Sequence, residues 1–540
     1  MAKWQTAEGI KNLTISLVEY GSVTGSQEEI GIMEFVDYEL RSLPYFQKHE
    51  DQLQMHYTED GRKFVTAIVK SNCTTDKTVI VMGHLDVVDV EDYGEWKHLA
   101  FRPRELTKQM LEKKELLPDV VQEDLKQDEW LFGRGTMDMK AGIALCMSMV
   151  EAAASGEFEG NIVFLAVPDE EVNSTGMRAA VPVLLDLANK YQLNYDVLWN
   201  TEPVFATYPG DERLYIYQGS LGKILPGFYC YGEESHVAEP FSGLNGNFMT
   251  SHLTDAIELN PKLSEKVGEE KSPPPTSLLQ KDLKADYSVQ IPHTAVMIFN
   301  LMTMKKTMKE VTDHLLQIAN VTAEKIVTAY KEREVAFADI HDYTPKERNI
   351  HVLTFQELLD HAITIVGEDE VNRRLSFIQA NESEGDDRDL TILTVHEIAS
   401  LCKDLAPMIV LFYSPPYYPA VSSKGEAVIS ELSETLIKKA DEHYQITLET
   451  VNYFPGLSDL SYASLAEPAE KLEALTNNMP LWNVTYKLPL EEMEQLNLKV
   501  VNFGPLGKDP HSWTERLNVT YSFEKLPKLM REGIRSIFSK

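Results

Sequence analysis

An α/β fold, with a mixed, mainly parallel sheet flanked by helices and a small α+β unit inserted into it, follows from three features of this 540-residue chain. Short, wholly apolar runs recur between helical segments: Val79-Ile-Val-Met-Gly-His-Leu-Asp-Val-Val88, Ile162–Val167 and Leu193–Trp199. Strands buried on both faces of a parallel sheet read this way. Each run leads into a histidine or an acid, and in open α/β sheets ligands gather beyond the carboxyl ends of the strands. After Tyr215 the rhythm changes to strand, helix, strand, helix, strand up to about residue 340, the mark of a separate unit.

Length and composition set the bounds. At roughly 100–200 residues per domain the chain holds two to four domains. A formal net charge of −33 repels phosphate backbones, which excludes nucleic acid as the expected partner and is compatible with cation binding. Cys73, Cys146, Cys230 and Cys402 are far apart and form no CxxC, so neither a disulfide framework nor a cysteine zinc site is expected. The N-terminus has no apolar leader core, and no apolar run approaches ~20 residues, so no membrane partner is expected either. The expectation is a soluble, cytoplasmic protein.

In chain order, apolar faces predict helices over 5–20 and 26–43, with Ser26 as the N-cap ahead of Glu28 and Glu29. Phe64–Lys70 alternates like a strand, and Thr78–Met82 follows as the next. His84 and Asp86, at i and i+2, point to the same side of their strand, so the acid can hold the ring. Asp89–Trp130 is a long polar excursion. Leu131-Phe-Gly-Arg-Gly-Thr-Met-Asp-Met-Lys-Ala-Gly142 is a glycine-punctuated turn around Asp138, leading into a helix over Ile143–Ala153. Its spacing fits neither GxGxxG nor GxxxxGK[ST], and its central acid favours a cation over a phosphate. Ile162–Val167 runs into Pro168-Asp169-Glu170-Glu171, three carboxylates that need a cation or solvent to ionise together. Leu193–Trp199 is followed by Asn200-Thr-Glu202-Pro203. Four strand ends therefore deliver His84 and Asp86, Asp138, Glu170 and Glu171, and Glu202 to one crevice.

The inserted unit is expected as a strand over Lys223–Tyr231, a helix over Asn247–Leu259, a strand over Thr294–Met302 and a long helix over Met308–Glu332, with His236 in the loop Gly232–Gly243. Residues 346–405 read as helical and charged, without an assigned place. Met408–Tyr413 is a buried strand before a Ser414-Pro-Pro416 loop. A helix over Ala427–Tyr444 follows, then Phe454-Pro-Gly-Leu-Ser-Asp459. A final strand and Gly/Pro loop carry His511 and Glu515, before a helical tail over Lys525–Ser536. The expected division is 1–213 and 406–540 for the main domain, 214–345 for the inserted unit, and 346–405 for a helical insert.

Histidine with carboxylates and no cysteine suits divalent zinc, cobalt or manganese. One carboxylate bridging two ions, with a histidine and a carboxylate completing each, is a workable two-metal site. A neighbouring carboxylate that is not a ligand can then carry the proton. GHLDVV, GRGTMDMKAG, PDEE, NTEP, the GxxxH of the inserted unit and GPLGKDPH with Glu515 occur in this order across residues 79–515. Together they resemble the co-catalytic zinc peptidases of family M20, which include aminoacylase, carboxypeptidase G and succinyl-diaminopimelate desuccinylase. The chain length and the PDEEVNSTGMRAA and SPPYYP segments resemble that family's bacterial arginine-utilisation branch.

The resemblance implies a zinc-peptidase catalytic domain with an inserted ferredoxin-like lid, and two divalent ions per chain, zinc before cobalt or manganese. It implies His84 and Glu202 on one ion, Glu171 and His511 on the other, and Asp138 bridging them ahead of a cis peptide to Met139. Asp86 would orient His84, Glu170 would act as general base, and His236 would stabilise the tetrahedral oxyanion. The implied substrate is a small peptide or N-acyl amino acid, and both a homodimer through the lid and a monomer are consistent with it. One departure stands out. Where many members carry a carboxylate-gripping arginine ten residues after an Asn-x-x-Pro segment, this chain has Val289-Gln-Ile-Pro292 and then Met302, which cannot make a bidentate contact. Asn300, Arg373 and Arg374 are the nearby substitutes. Against the hydrolase stand a catalytically idle metal-binding or regulatory protein on the same fold, which would be expected to lose Glu170 or a ligand, and a nucleotide-binding protein, which would need a glycine fingerprint that is absent.

Overall fold

The computed structural model describes residues 2–126, 129–204, 211, 213–284, 286–338, 344–345, 347–381 and 386–539. The chain forms two compact units, one of residues 1–221, 421–465 and 489–540, the other of 222–420 and 466–488.

Among the described residues of the first unit, an eight-stranded sheet runs from edge to edge through Leu53–Tyr57, Lys63–Val69, Asn161–Val167, Lys77–His84, Asn194–Asn200, Val500–Asn502, Leu214–Tyr217 and Leu448–Val451. The four middle strands are parallel, and antiparallel neighbours join on both sides. Lys77–His84 lies at the centre, and every residue after Lys77 is buried. This is why it reads as a continuous β-branched run rather than an alternating one. Helix Ala141–Ala154 is buried over almost its whole surface, and Ala7–Val18 packs on it. Ser26 caps helix Gln27–Arg41, its side chain accepting from Glu29 N.

The stretch expected as a polar excursion has its own order. Short helices over Glu91–Leu99, Pro103–Glu112 and Asp119–Asp124 close around a small core that includes Tyr93, Trp96, Leu106, Met110 and Trp130. Its apolar residues are too sparse among the charges to show a period, but they converge in space.

The second unit has a five-stranded sheet in the order Thr276–Asp282, Thr294–Thr303, Gly222–Tyr231, Met408–Tyr418, His351–Thr354. Without the last, short strand, this is the antiparallel pattern of a split βαβ ferredoxin-like unit, with helices Gly246–Ile257 and Met308–Ala338 as its two crossovers.

Three expectations are corrected here. Residues 406–420 were expected in the main domain, but Met408–Tyr418 pairs along Gly222–Tyr231 and supplies the second unit's last long strand. A buried apolar run is equally at home in either sheet, so its composition could not choose. The helical insert likewise lies inside this unit, ahead of that strand, although 346 and 382–385 are outside the described residues. Its helices Phe355–Val366 and Asp387–Leu401 bring Phe355, Leu358, Ile392, Val395 and Ile398 onto Tyr229, Val296 and Val410 of the sheet. Ala295, Met297 and Phe299, which alternate with Val296 and Ile298, are buried too, so both faces of the sheet are covered. The strand also continues through the expected Ser414-Pro-Pro416 loop, with a register irregularity between Ser414 and Tyr418 where the prolines offer no N–H to the ladder.

Candidate metal centre

The central strands deliver the site in register. His84 pairs with Val167, and Met82 with Asn200, so the residues after these positions leave the sheet at one level. A Cβ at Gly83 would lie 2.2 Å from Met139 Cε and 3.2 Å from Ile143 Cδ1, so any larger residue there would displace the buried Met139 side chain. That contact sets the Asp138 turn against the end of the His84 strand. Gly504 plays the same part for the closing loop, where a Cβ would meet Glu202 O at 2.3 Å.

His84 Nε2 lies 3.2 Å from Asp138 Oδ1 and 3.4 Å from Glu202 Oε1. His511 Nε2 lies 3.4 Å from Asp138 Oδ2 and 3.1 Å from Glu171 Oε2. The two oxygens of Asp138 thus face two different histidines, each with a further carboxylate beside it. One ligand atom from each of His84, Asp138 and Glu171 falls within 4.8 Å of the others. The Asp138–Met139 peptide is cis. Glu170 Oε2 stands 3.9 Å from His84 Nε2, at the edge of this group.

Asp86 does more than sequence spacing suggests. His84 Nδ1 meets the Asp86 carbonyl oxygen at 2.9 Å and its Oδ1 at 3.4 Å. Asp86 Oδ1 also accepts from Glu170 N at 3.1 Å, and Oδ2 from Glu171 N at 3.2 Å and Thr24 Oγ1 at 2.9 Å. One buried carboxylate therefore holds the backbone of both glutamates, an interaction that only proximity in space could reveal.

Glu515 works similarly on the other side. Fully buried, it accepts from Met137 N at 3.2 Å through Oε1 and meets Arg134 Nη1 at 2.8 Å through Oε2. Asp459 is a further buried acid whose charge reaches His84, Asp86 and Asp169, and burial pushes its carboxyl up to about 7. Sequence reading had given neither a role.

The electrostatics fit a cation. Burial, reinforced by neighbouring acids, drives the Glu170 and Glu202 carboxyls well above the usual range, and burial raises Glu171 as well. Burial pulls His84 down, but Glu202, Asp138, Asp86 and Glu170 outweigh it and hold the imidazole well above its ordinary value. Hydrogen bonds to Asp138 and Glu171 push His511 up to about 10. So many buried acids cannot ionise together unless positive charge offsets them. Two histidines and three carboxylates, without cysteine, are a donor set for divalent zinc, cobalt or manganese, with Glu170 beside them as a further acid.

His236 belongs to the second unit. It is exposed in a loop bridged to Gln290, with its Nδ1 accepting from Ala238 N at 3.1 Å. Arg373 and Arg374 are engaged with Glu370, and Arg374 also with Glu397. Met302 and Asn300 lie on the strand Thr294–Thr303. Among the described residues no helix is long and apolar enough to cross a membrane.

Residues 80–531 match the family described as "Peptidase family M20/M25/M40". The "Uncharacterized protein YqjN" of Bacillus subtilis (strain 168) is 48% identical, covering 99% of this chain and 98% of that protein. "Protein RocB" of the same organism is 33% identical, covering 97% of this chain and 94% of that one. Among solved structures, a tripeptidase from Staphylococcus aureus superposes with a TM-score of 0.53 at 12% identity, covering 99% of this chain and all of its own. A metallo-carboxypeptidase from Sulfolobus solfataricus gives 0.53 at 10%, covering 98% and 99%. At such identities these structures speak for the fold.

Proposed function

The chain belongs to peptidase family M20/M25/M40, and from that footing we propose that it hydrolyses an amide bond of a small peptide or N-acyl amino acid, in arginine or amino-acid catabolism. The observation that carries this reading is the division of Asp138 between His84 and His511, at 3.2 and 3.4 Å. In this reading His84 and Glu202 hold one divalent ion, Glu171 and His511 the other, and Asp138 both. Bound there, such ions supply Lewis acidity, which lowers the pKa of a water and polarises a carbonyl.

The protein's own groups carry the rest. Glu170 and Glu171 are neighbours with different tasks: Glu171 faces His511, while Glu170 is the general base that takes the proton from the attacking water and hands it to the leaving amine. Burial raises its carboxyl well above the usual carboxylate range, which strengthens it as a proton acceptor for that double duty. Asp86 fixes the His84 ring and the backbone of both glutamates. His236 supplies the hydrogen bond to the tetrahedral oxyanion, and its conversion to alanine should lower kcat by about 10²–10³-fold with metal content intact.

The test is a hydrolysis screen of N-acyl amino acids and dipeptides, arginine derivatives included, on wild type and Glu170→Ala. Cleavage by wild type and its loss in a variant that still binds metal is the expected result. Equal turnover in the variant would remove Glu170 as base, and a purified protein that takes up no divalent ion would remove the site.

A further inference from the structure

The turn that presents Glu170 and Glu171 is held from behind as well as from Asp86. Asp169, which precedes them, is fully buried and has a left-handed backbone, with φ 67°. Its carbonyl oxygen accepts from Ser174 N at 2.6 Å and its Oδ2 from Thr175 N at 3.0 Å. Its Oδ1 forms an ion pair with Arg62 Nη1, and the same nitrogen faces the buried Glu29 Oε1 at 3.5 Å. Glu29 Oε2 in turn accepts from Gly25 N at 2.7 Å, next to Thr24, whose hydroxyl donates to Asp86. Arg62 itself is aimed by Asp60, which receives its Nε at 2.9 Å.

A non-glycine residue in the left-handed region persists only where its surroundings hold it. Here the holding charge comes from a hairpin residue that belongs to none of the site's sequence motifs. The acids Glu29, Asp86 and Asp169 lie close together, so removing the guanidinium would leave buried like charges facing one another, and the turn would relax away from them.

We propose that Arg62 is a positioning residue of the active site: by pairing with Asp169 it fixes the turn that sets Glu171 toward the metal and Glu170 toward the water. The proposal rests on the metal-dependent reading given above. Partners that orient metal ligands typically affect affinity about 10–100-fold, so Arg62→Ala should weaken binding at the Glu171 side by about tenfold.

The experiment is calorimetric titration of metal-free wild type, Arg62→Ala and Arg62→Lys with Co²⁺, together with the visible spectrum of the Co²⁺-loaded proteins. Expected are a weakened step and an altered spectrum in Arg62→Ala, partial recovery in Arg62→Lys, and recovery on adding millimolar guanidinium to Arg62→Ala. Should Arg62→Ala not fold, Arg62→Lys and Asp169→Asn carry the same comparison, each expected to weaken that step. Affinity and spectrum equal to wild type in these variants would overturn the proposal and leave the metal-dependent reading standing. No Co²⁺ uptake by wild type would overturn both.

Discussion

His84 and His511 face opposite oxygens of one carboxylate, yet the first side chain is 1% exposed and the second 49%. His84 ends a central strand, in register with its neighbours, and its position is inherited from the sheet. His511 sits on an irregular loop with a left-handed backbone, φ 58°, two residues after Asp509 at φ 57°. That loop closes a short hairpin, in which Gly507–Lys508 pairs with Arg516–Asn518 and the latter with Trp130–Phe132, and charge reinforces it. Arg516 pairs with Asp124 and Asp509, and its guanidinium lies 5.4 Å from the Trp130 ring. Asp124 and Trp130 both belong to the stretch that read as a polar excursion, and Trp96 of that stretch packs against Trp513 in a tilted pair with ring centroids 5.5 Å apart. One half of the site is thus built by the central sheet, and the other by a loop that closes a short hairpin and is gripped by a separate small core.

Four measurements test that contrast. The largest effect should come from Asp138→Asn, which weakens the ligand shared by both halves: saturable binding of divalent ions should fall on both sides in calorimetry, and two unchanged sites would break the comparison at its centre. Next, Glu202→Gln and Glu171→Gln should each cost one ion of two, read as stoichiometry by elemental analysis. If either variant lost both or neither, the assignment of halves would be wrong. Arg516→Leu should come third, weakening the His511 side by about 10–100-fold while the His84 side stays near wild type. An equal loss on both sides would mean that the loop and the sheet are not independent supports.

The smallest effect concerns protons. His511 is held protonated up to about 10, whereas a metal ligand must be the neutral imidazole. Binding at pH 7 should therefore expel a proton from His511, and affinity should rise as pH is raised from 7 toward 9. Calorimetry in buffers of different ionisation enthalpy measures that release, which His511→Asn should reduce. Affinity independent of pH over this range would contradict it.

The inserted unit shows where sequence reading stops. Its two crossover helices and the strands Gly222–Tyr231 and Thr294–Thr303 were legible, because amphipathic periods and apolar runs are local. The placement of Met408–Tyr418 was not, because the strand it pairs along for most of its length, Gly222–Tyr231, lies far earlier in the chain. The insert over 346–405 had no readable purpose until its apolar stripe was seen against Tyr229 and Val410.

By itself the sequence determined the fold class and the central strand, and its strand ends and ligand types brought His84, Asp138, Glu170, Glu171 and Glu202 forward as candidates, with His511 added by the resemblance of its motif. The tertiary structure alone decided the supports. Arg62 behind Asp169, Arg134 with Glu515, and Arg516 between Asp124 and Asp509 join residues from distant segments. Arg62 and Arg516 lie in none of the motifs, and Arg134, though inside one, shows no partner in the local order of the chain. Such a support is recognised only when folding brings its carboxylate to it, because the attraction between the charges needs close approach and strengthens as water is withdrawn.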